Sequence, residues 1–325
     1  GHYRAWLKRK GKNLDHLHHS QGGKHKTRNP DVPRAGRWAI DPDDTQTAWI
    51  TEQSLAWIRG REAEGQPWFC MANYQDPHPP FVCPDPWYSD VDMRGVTFGE
   101  LREGEMDDKP PPLRRLLDGT YWSEEDGTSL ADPLIGNVPA FGTGAREETR
   151  EAAVRAYIGM VNMLDAYIGR LVDALDDLGV RENTLILFTT DHGEQLGEHG
   201  LWGKGPAAYD GNMRIPCIMN WPAAQPGPVG RTESMFNLVD IMPTFLDAAG
   251  TATPPGVQGI SQLPVLRGET TLLRDWALVD FLASLPFHMQ VLVHDGYQLV
   301  VYRDRDYGEL YDIHADPEHY RNLFD

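Results

Sequence analysis

The sequence predicts an α/β protein that carries a small antiparallel sheet towards its C-terminal end. Three observations lead there. The run "TLILFTT" (184–190) is continuously apolar and rich in β-formers, the pattern of a strand covered on both faces. It follows a long stretch, from about Glu147 to Leu178, whose apolar residues recur at helical spacing. Beyond "GVQGISQLPVLRGE" the pattern changes to strict alternation between turn residues, which marks antiparallel strands.

Each element has its own local reason. In "TQTAWITEQSLAWIRGREAEG" (45–65), Trp49, Ile50, Leu55, Trp57 and Ile58 fall near helical spacing before a glycine, predicting a helix. "PWFCMANY" (67–74) is mostly apolar and predicts a short strand, stopped by "QDPHPPF". Residues 84 to 146 are rich in Pro, Gly and Asp with little periodicity, predicting loops and short helices over a surface.

In the long helix, Val154, Ile158, Val161, Met163, Leu164, Ile168, Leu171, Val172 and Leu175 form one apolar stripe, and Gly179 suits the position just past its end. "TLILFTT" is then a buried parallel strand and "IPCIMNW" (215–221) another. "SMFNLVDIMPTFLDAAG" (234–250) predicts a helix interrupted by Pro243 and closed by Gly250. "HMQVLVHDG", "YQLVVYRD" and "GELYDI" are the alternating strands. The predicted division is an α/β domain over 1–265 and an antiparallel subdomain over 266–325. Parallel strands are few for such a length, because a sheet covered on both faces usually has five or more.

Composition narrows the function. The formal charge of −18 argues against nucleic acid and anionic membranes as partners, and an anionic small substrate would need a locally positive pocket. Residues 4 to 28 run against that average, with Arg4, Lys8, Arg9, Lys10, Lys12, Lys24, Lys26 and Arg28 among several histidines; such a run reads as a solvated segment or loop. Cys70, Cys83 and Cys217 have no disulfide-framework spacing. No apolar run is long enough to span a bilayer, and "GHYRAWLKRKGKN" lacks a signal peptide's apolar core, which favours the cytoplasm. An oligomer is compatible with all of this.

The chemistry gathers at strand ends. Asp191 and His192 follow the strand 184–190, at the end where α/β sheets bind ligands, and Gly193 lets the backbone turn behind them. A hard carboxylate beside an imidazole is half of a divalent cation site. After Lys109, Lys204 is the only lysine in the chain, although arginine remains plentiful. A compact ammonium suits contact with a tetrahedral oxyanion better than a planar guanidinium. His78, in "QDPHPP", sits in a proline-stiffened loop that suits a preorganised general acid or hydrogen-bond donor. His199, in "GEHG", is a substrate-side or supporting candidate, and Arg214 is a loop buttress with a secondary claim on substrate. Together these point to metal-assisted hydrolysis of a small anionic ester.

"TLILFTTDHGEQLGEHGLWGKGPAAYDGNMRIPCIMNWP" resembles the second metal-binding segment of type I sulfatases and the related phosphonate monoester hydrolases, within the alkaline phosphatase superfamily. "PWFCMANYQDPHPPF" resembles the family's segment with an active-site histidine, and "MVNMLDAYIGRLVDALDDLG" the helix before the metal strand. "LVDIMPTFLDAAG", "GVQGISQLPVLRGE" and "GELYDIHADPEHYRNLF" resemble its C-terminal landmarks. The resemblance implies an αβα sandwich. It implies that Asp191 and His192 bind one divalent metal, calcium first, with manganese or magnesium as alternatives. Lys204 would bind the sulfate, and His78 would hydrogen-bond the ester and protonate the leaving alkoxide. Phosphonate monoester or phosphodiester hydrolysis is the alternative, since these motifs do not separate sulfur from phosphorus.

One departure is large. The family's nucleophile is a formylglycine made within C-x-P-x-R, preceded by a strand that ends in Asp-Asp. Cys83 begins "CPDPW", with Trp87 where arginine is required, and "CMANY" and "CIMNW" also fail. "DPDD" (41–44) is a polar turn rather than the end of an apolar strand. The expectation is a chain that lacks roughly a hundred N-terminal residues of its family's fold, inactive alone, or else a pseudoenzyme.

Overall fold

The computed structural model describes residues 1–12, 35–118, 147–224, 230–284 and 287–325. In chain order the elements are α1 (His2–Arg9), β1 (Ala35–Trp38), α2 (Gln46–Glu64), β2 (Phe81–Pro84), α3 (Pro111–Asp118) and α4 (Glu147–Asp177). Then come β3 (Ile186–Thr189), α5 (Asp210–Met213), β4 (Cys217–Asn220), α6 (Ile241–Ala248) and α7 (Leu263–Leu266), before β5 (Trp276–Ser284), β6 (Phe287–His294), β7 (Tyr297–Tyr302) and β8 (Gly308–Asp312). They fall into two compact units. One comprises Gly1–Val96 with Arg146–Arg181, the other Thr97–Ala145 with Glu182–Asp325.

In the first unit, α2 begins where the Thr45 side chain accepts a hydrogen bond from the Ala48 amide at 3.1 Å, and it ends at Gly65 in the left-handed region. Ala48, Thr51, Leu55 and Ile58 form its buried face. The end of α4 is a full glycine cap, with Gly179 N–H donating to Asp176 and Val180 N–H to Leu175. The buried face of α4 keeps Val154, Met163 and Leu175 of the predicted stripe and takes in smaller and neighbouring residues beside them. Ala153, Ala156, Met160, Met163 and Tyr167 are buried, whereas Val161 is exposed. Small residues let the helix approach its neighbours closely: a Cβ at Gly159 would lie 2.8 Å from the Trp87 carbonyl oxygen. The strand in this region is also displaced. Residues 67–74 are assigned to no strand, and β2, just past His78, pairs in parallel with β1, Ala35 opposite Phe81. The basic stretch 4–28 is described only as far as residue 12; its remainder, with Lys24, Lys26 and Arg28, lies outside the described residues.

In the second unit, β3 and β4 pair antiparallel, Ile186 opposite Asn220, which corrects the parallel expectation. Apolar continuity reports how a strand is covered and carries no information about direction. Here β3 is only half-buried. Pro243 does not interrupt a helix either, because α6 starts only at Ile241 and the proline lies in its first turn, where a missing N–H costs no internal bond. The alternating C-terminal strands form a four-stranded antiparallel sheet in the order β5-β6-β7-β8. Asp295 and Gly296, both with positive φ, make the two-residue turn between β6 and β7. The core of this unit packs α3 residues Leu113 and Leu116, together with Leu201, Ala208 and Tyr209, against Met289, Val291, Val300 and Tyr311 of the sheet.

Candidate functional site

The site is built on the backbone that leaves β3. Gly193 N–H donates to the Asn212 carbonyl at 2.9 Å and Glu194 N–H to Gly211 at 2.8 Å, so the turn lies flat against the start of α5. A Cβ on Gly193 would stand 2.0 Å from the Gly211 carbonyl oxygen, and only glycine fits. This holds Asp191 and His192 at the strand end, with Asp191 largely exposed and His192 about one-third exposed.

His192 is oriented by its neighbours. Its Nδ1–H donates to the Gly193 carbonyl at 2.7 Å, which leaves Nε2 as the acceptor nitrogen. Lys204 Nζ donates to that Nε2 at 3.0 Å. Asp191 Oδ2 lies 3.7 Å from the same nitrogen, while its Oδ1 accepts the His192 amide at 3.1 Å. A carboxylate and an ammonium therefore both face the imidazole nitrogen Nε2.

That arrangement fits a cation in part. A metal-binding histidine commonly donates its other ring N–H to a carbonyl, as His192 does, but here the Lys204 ammonium occupies the Nε2 lone pair that a cation would take. Hard cations such as calcium take six to eight oxygen ligands, roughly, so these two side chains would supply only part of a shell. Among the described residues, no group of three or more His, Cys, Asp or Glu side chains could hold a metal ion.

The remaining candidates are placed differently. His78 lies in the other unit, half-buried, with its Nδ1–H donating to Pro79 at 2.7 Å and its amide to Gln75 at 2.9 Å. His199 is fully buried: its Nδ1 bonds the Glu105 carboxylate and its ring stacks on Tyr209 at 3.8 Å between centroids. Burial pushes the Glu105 carboxyl up, but its bond to His199, the Arg102 amide and the nearby charges of His199 and Lys109 together outweigh that and hold it below the usual range. Arg214 is mostly exposed and reaches Asp210 at 3.4 Å.

Two carboxylates escaped the reading of the sequence. Glu105 looked like one of many acids in a loop-rich stretch. Glu194 accepts the Gly203 amide at 2.5 Å, and burial pushes its carboxyl up to about 7 against the opposing pull of the backbone amides and Lys204. The signal for Glu194 was its place three residues after Asp191, inside the same short motif.

Comparison with known proteins follows the same lines. The sulfatase family model matches residues 3–251, and that of the N-sulphoglucosamine sulphohydrolase C-terminal region matches residues 197–325. A multifunctional alkaline phosphatase superfamily protein of Trinickia caryophylli is 30% identical over 310 residues, covering 87% of this chain and 56% of that protein. An N-acetylglucosamine-6-O-sulfatase of Bacteroides thetaiotaomicron is 36% identical over 180 residues, covering 53% of this chain and 32% of the relative. Among solved structures, a phosphonate monoester hydrolase from Silicibacter pomeroyi superposes with a TM-score of 0.77 at 26% identity, over 99% of this chain and 64% of its own. The chain thus spans about half of the first relative and a third of the second.

Proposed function

The chain belongs to the sulfatase family, within the alkaline phosphatase superfamily, and from that membership we propose that it forms part of a metal-dependent hydrolase of sulfate monoesters. The observation that carries the reading is the convergence of Asp191, His192 and Lys204 where the chain leaves β3. Asp191 and His192 would hold the divalent cation, calcium before manganese or magnesium. When bound, the cation would neutralise and orient the ester oxygens.

Lys204 binds the sulfate oxyanion as a point charge, and a preorganised donor of this kind is worth on the order of 3 kcal/mol in the transition state. His78, its ring fixed by the Nδ1–H bond to Pro79, would as the doubly protonated imidazolium give its Nε2 proton to the leaving alkoxide. His199 and Arg214 support the loops around these groups. The formylglycine that the family resemblance implies has no residue here to carry it, since neither C-x-P-x-R nor S-x-P-x-R occurs in the chain. Phosphonate monoester hydrolysis is the second reading, supported by the likeness to the Silicibacter pomeroyi enzyme. The sulfated-sugar relative supports an anionic sugar ester among the candidate substrates.

Calorimetry tests the site. Calcium is expected to bind weakly, and Asp191→Ala to abolish that binding. With calcium present, sulfate is expected to bind, Lys204→Ala to weaken it strongly and Lys204→Arg to restore little. Sulfate affinity indifferent to both Lys204 variants sinks the assignment. The 325-residue chain is expected to turn over neither an aryl sulfate nor a phosphonate monoester, and robust turnover would require a different nucleophile.

A further inference from the structure

The loop from 191 to 204 contains a clamp that the proposed chemistry does not use. Glu194 Oε1 accepts the N–H of Gly203 at 2.5 Å, and Gln195 N–H donates to the carbonyl of the same glycine at 3.1 Å. Both polar groups of Gly203 are thus held by consecutive residues, and that carbonyl belongs to the peptide leading into Lys204. Gly203 itself has φ +83°, a left-handed conformation that the clamp keeps in place. On its other side the segment is anchored, because Gly193 and Glu194 donate their own amides to Asn212 and Gly211. Residues 193–195 therefore connect two fixed points. His192 leaves one end, Lys204 is gripped at the other, and their side chains meet at 3.0 Å.

We propose that Glu194 is the positioning residue of Lys204: its carboxylate oxygen, by holding the Gly203 amide, sets the ammonium against His192 Nε2. The proposal rests on the reading of Lys204 as the oxyanion-binding group, but its geometry can be tested apart from that reading. Backbone bonds alone leave the Gly203 N–H without this acceptor, and a shift of that peptide moves the root of the flexible four-carbon lysine stem. What the position requires is an acceptor at the reach of a glutamyl side chain. Glutamine keeps that acceptor, aspartate keeps the charge but is one methylene short, and alanine has neither.

The experiment follows the His192 ring nitrogens by long-range ¹⁵N–¹H spectra in the full chain, for wild type, Lys204→Ala, Glu194→Gln, Glu194→Asp and Glu194→Ala. Lys204→Ala is expected to move the Nε2 resonance. Glu194→Ala and Glu194→Asp are expected to move it the same way, and Glu194→Gln to leave it at the wild-type position. If Glu194→Ala does not fold, the aspartate and glutamine variants decide. An aspartate signal at the wild-type position, a glutamine signal at the Lys204→Ala position, or a Lys204→Ala signal that does not move each overturns the proposal. Sulfate titration of wild type separates the two ideas: no response to sulfate, with the Glu194 pattern as expected, removes the oxyanion reading and keeps the clamp.

Discussion

Gly193 bears more on the site than any residue that could replace it. Alanine there would drive its Cβ into the Gly211 carbonyl at 2.0 Å, so the backbone of 192–195 or the start of α5 must yield. Overpacking of this kind costs about 1–3 kcal/mol. Gly193→Ala is expected to lower the urea midpoint accordingly and to change the His192 ring signals, whereas Gly169→Ala, with nothing within 4 Å of its Cβ, is expected to do neither. At this scale the sequence is informative about groups at strand ends. Asp191, His192 and Lys204 could be grouped because a β-run, a tight turn and an isolated lysine left few other readings. Glu194 and Glu105 could not, because acids among glycines look solvated until the chain folds over them. The Glu105–His199 bond joins residues 94 apart in sequence, a pairing that no local pattern records.

At the scale of elements, α1 shows how much of a helix's placement lies in its polar ends. Trp6 and Leu7 bury its apolar face against Tyr3, Ile40 and Trp49, and Lys10 and Lys12 close the end onto Asp44 at 2.8 and 2.6 Å. Burial pushes the Asp44 carboxyl up, but the two ammonium groups outweigh it and the net displacement is downward from 3.8. A carboxyl depressed on folding contributes stability that is complete above its ordinary value and is lost as pH falls through the lower, folded one. Wild-type α1 is therefore expected to stay docked from neutral pH down to about 4 and to loosen below it. Asp44→Asn is expected to loosen it already at neutral pH and to flatten the acid response, as amide exchange over 2–9 and Trp6 fluorescence would register. A helix with the same pH profile in both proteins would show that the ion pairs contribute nothing. Element type was read correctly for α2, α4 and the C-terminal strands, where periodicity is long. Strand direction in β3–β4 and the shift of the strand from 67–74 to β2 were not legible, because short apolar runs fix neither partner nor register. The small residues on the buried face of α4 escaped for a related reason: alanine and glycine mark a close-packed face, yet a count of large apolar residues passes over them.

For the whole molecule, motif order was the strongest signal, since several spaced segments match one family along most of the chain. Each compact unit is assembled from two separated stretches, and that interleaving leaves no trace in local composition. Among the described residues no helix is long and apolar enough to cross a membrane.

The stretch 67–74, assigned to no strand, alternates exposed and half-buried side chains, with Phe69 at 63% and Met71 at 69% exposure, and Ile218 of β4 stands 61% exposed. Apolar side chains exposed together at the surface favour self-association. Sulfate is excluded from protein surfaces and strengthens such burial. Molar sulfate is therefore expected to make this chain scatter light at concentrations where equal ionic strength of chloride leaves it clear. Lysine in place of Phe69 and Met71 is expected to raise that threshold, and unchanged scattering in the double variant would place the sticky surface elsewhere. On this expectation a few outward-facing apolar side chains, more than the net charge of −18, set the threshold at which the chain associates.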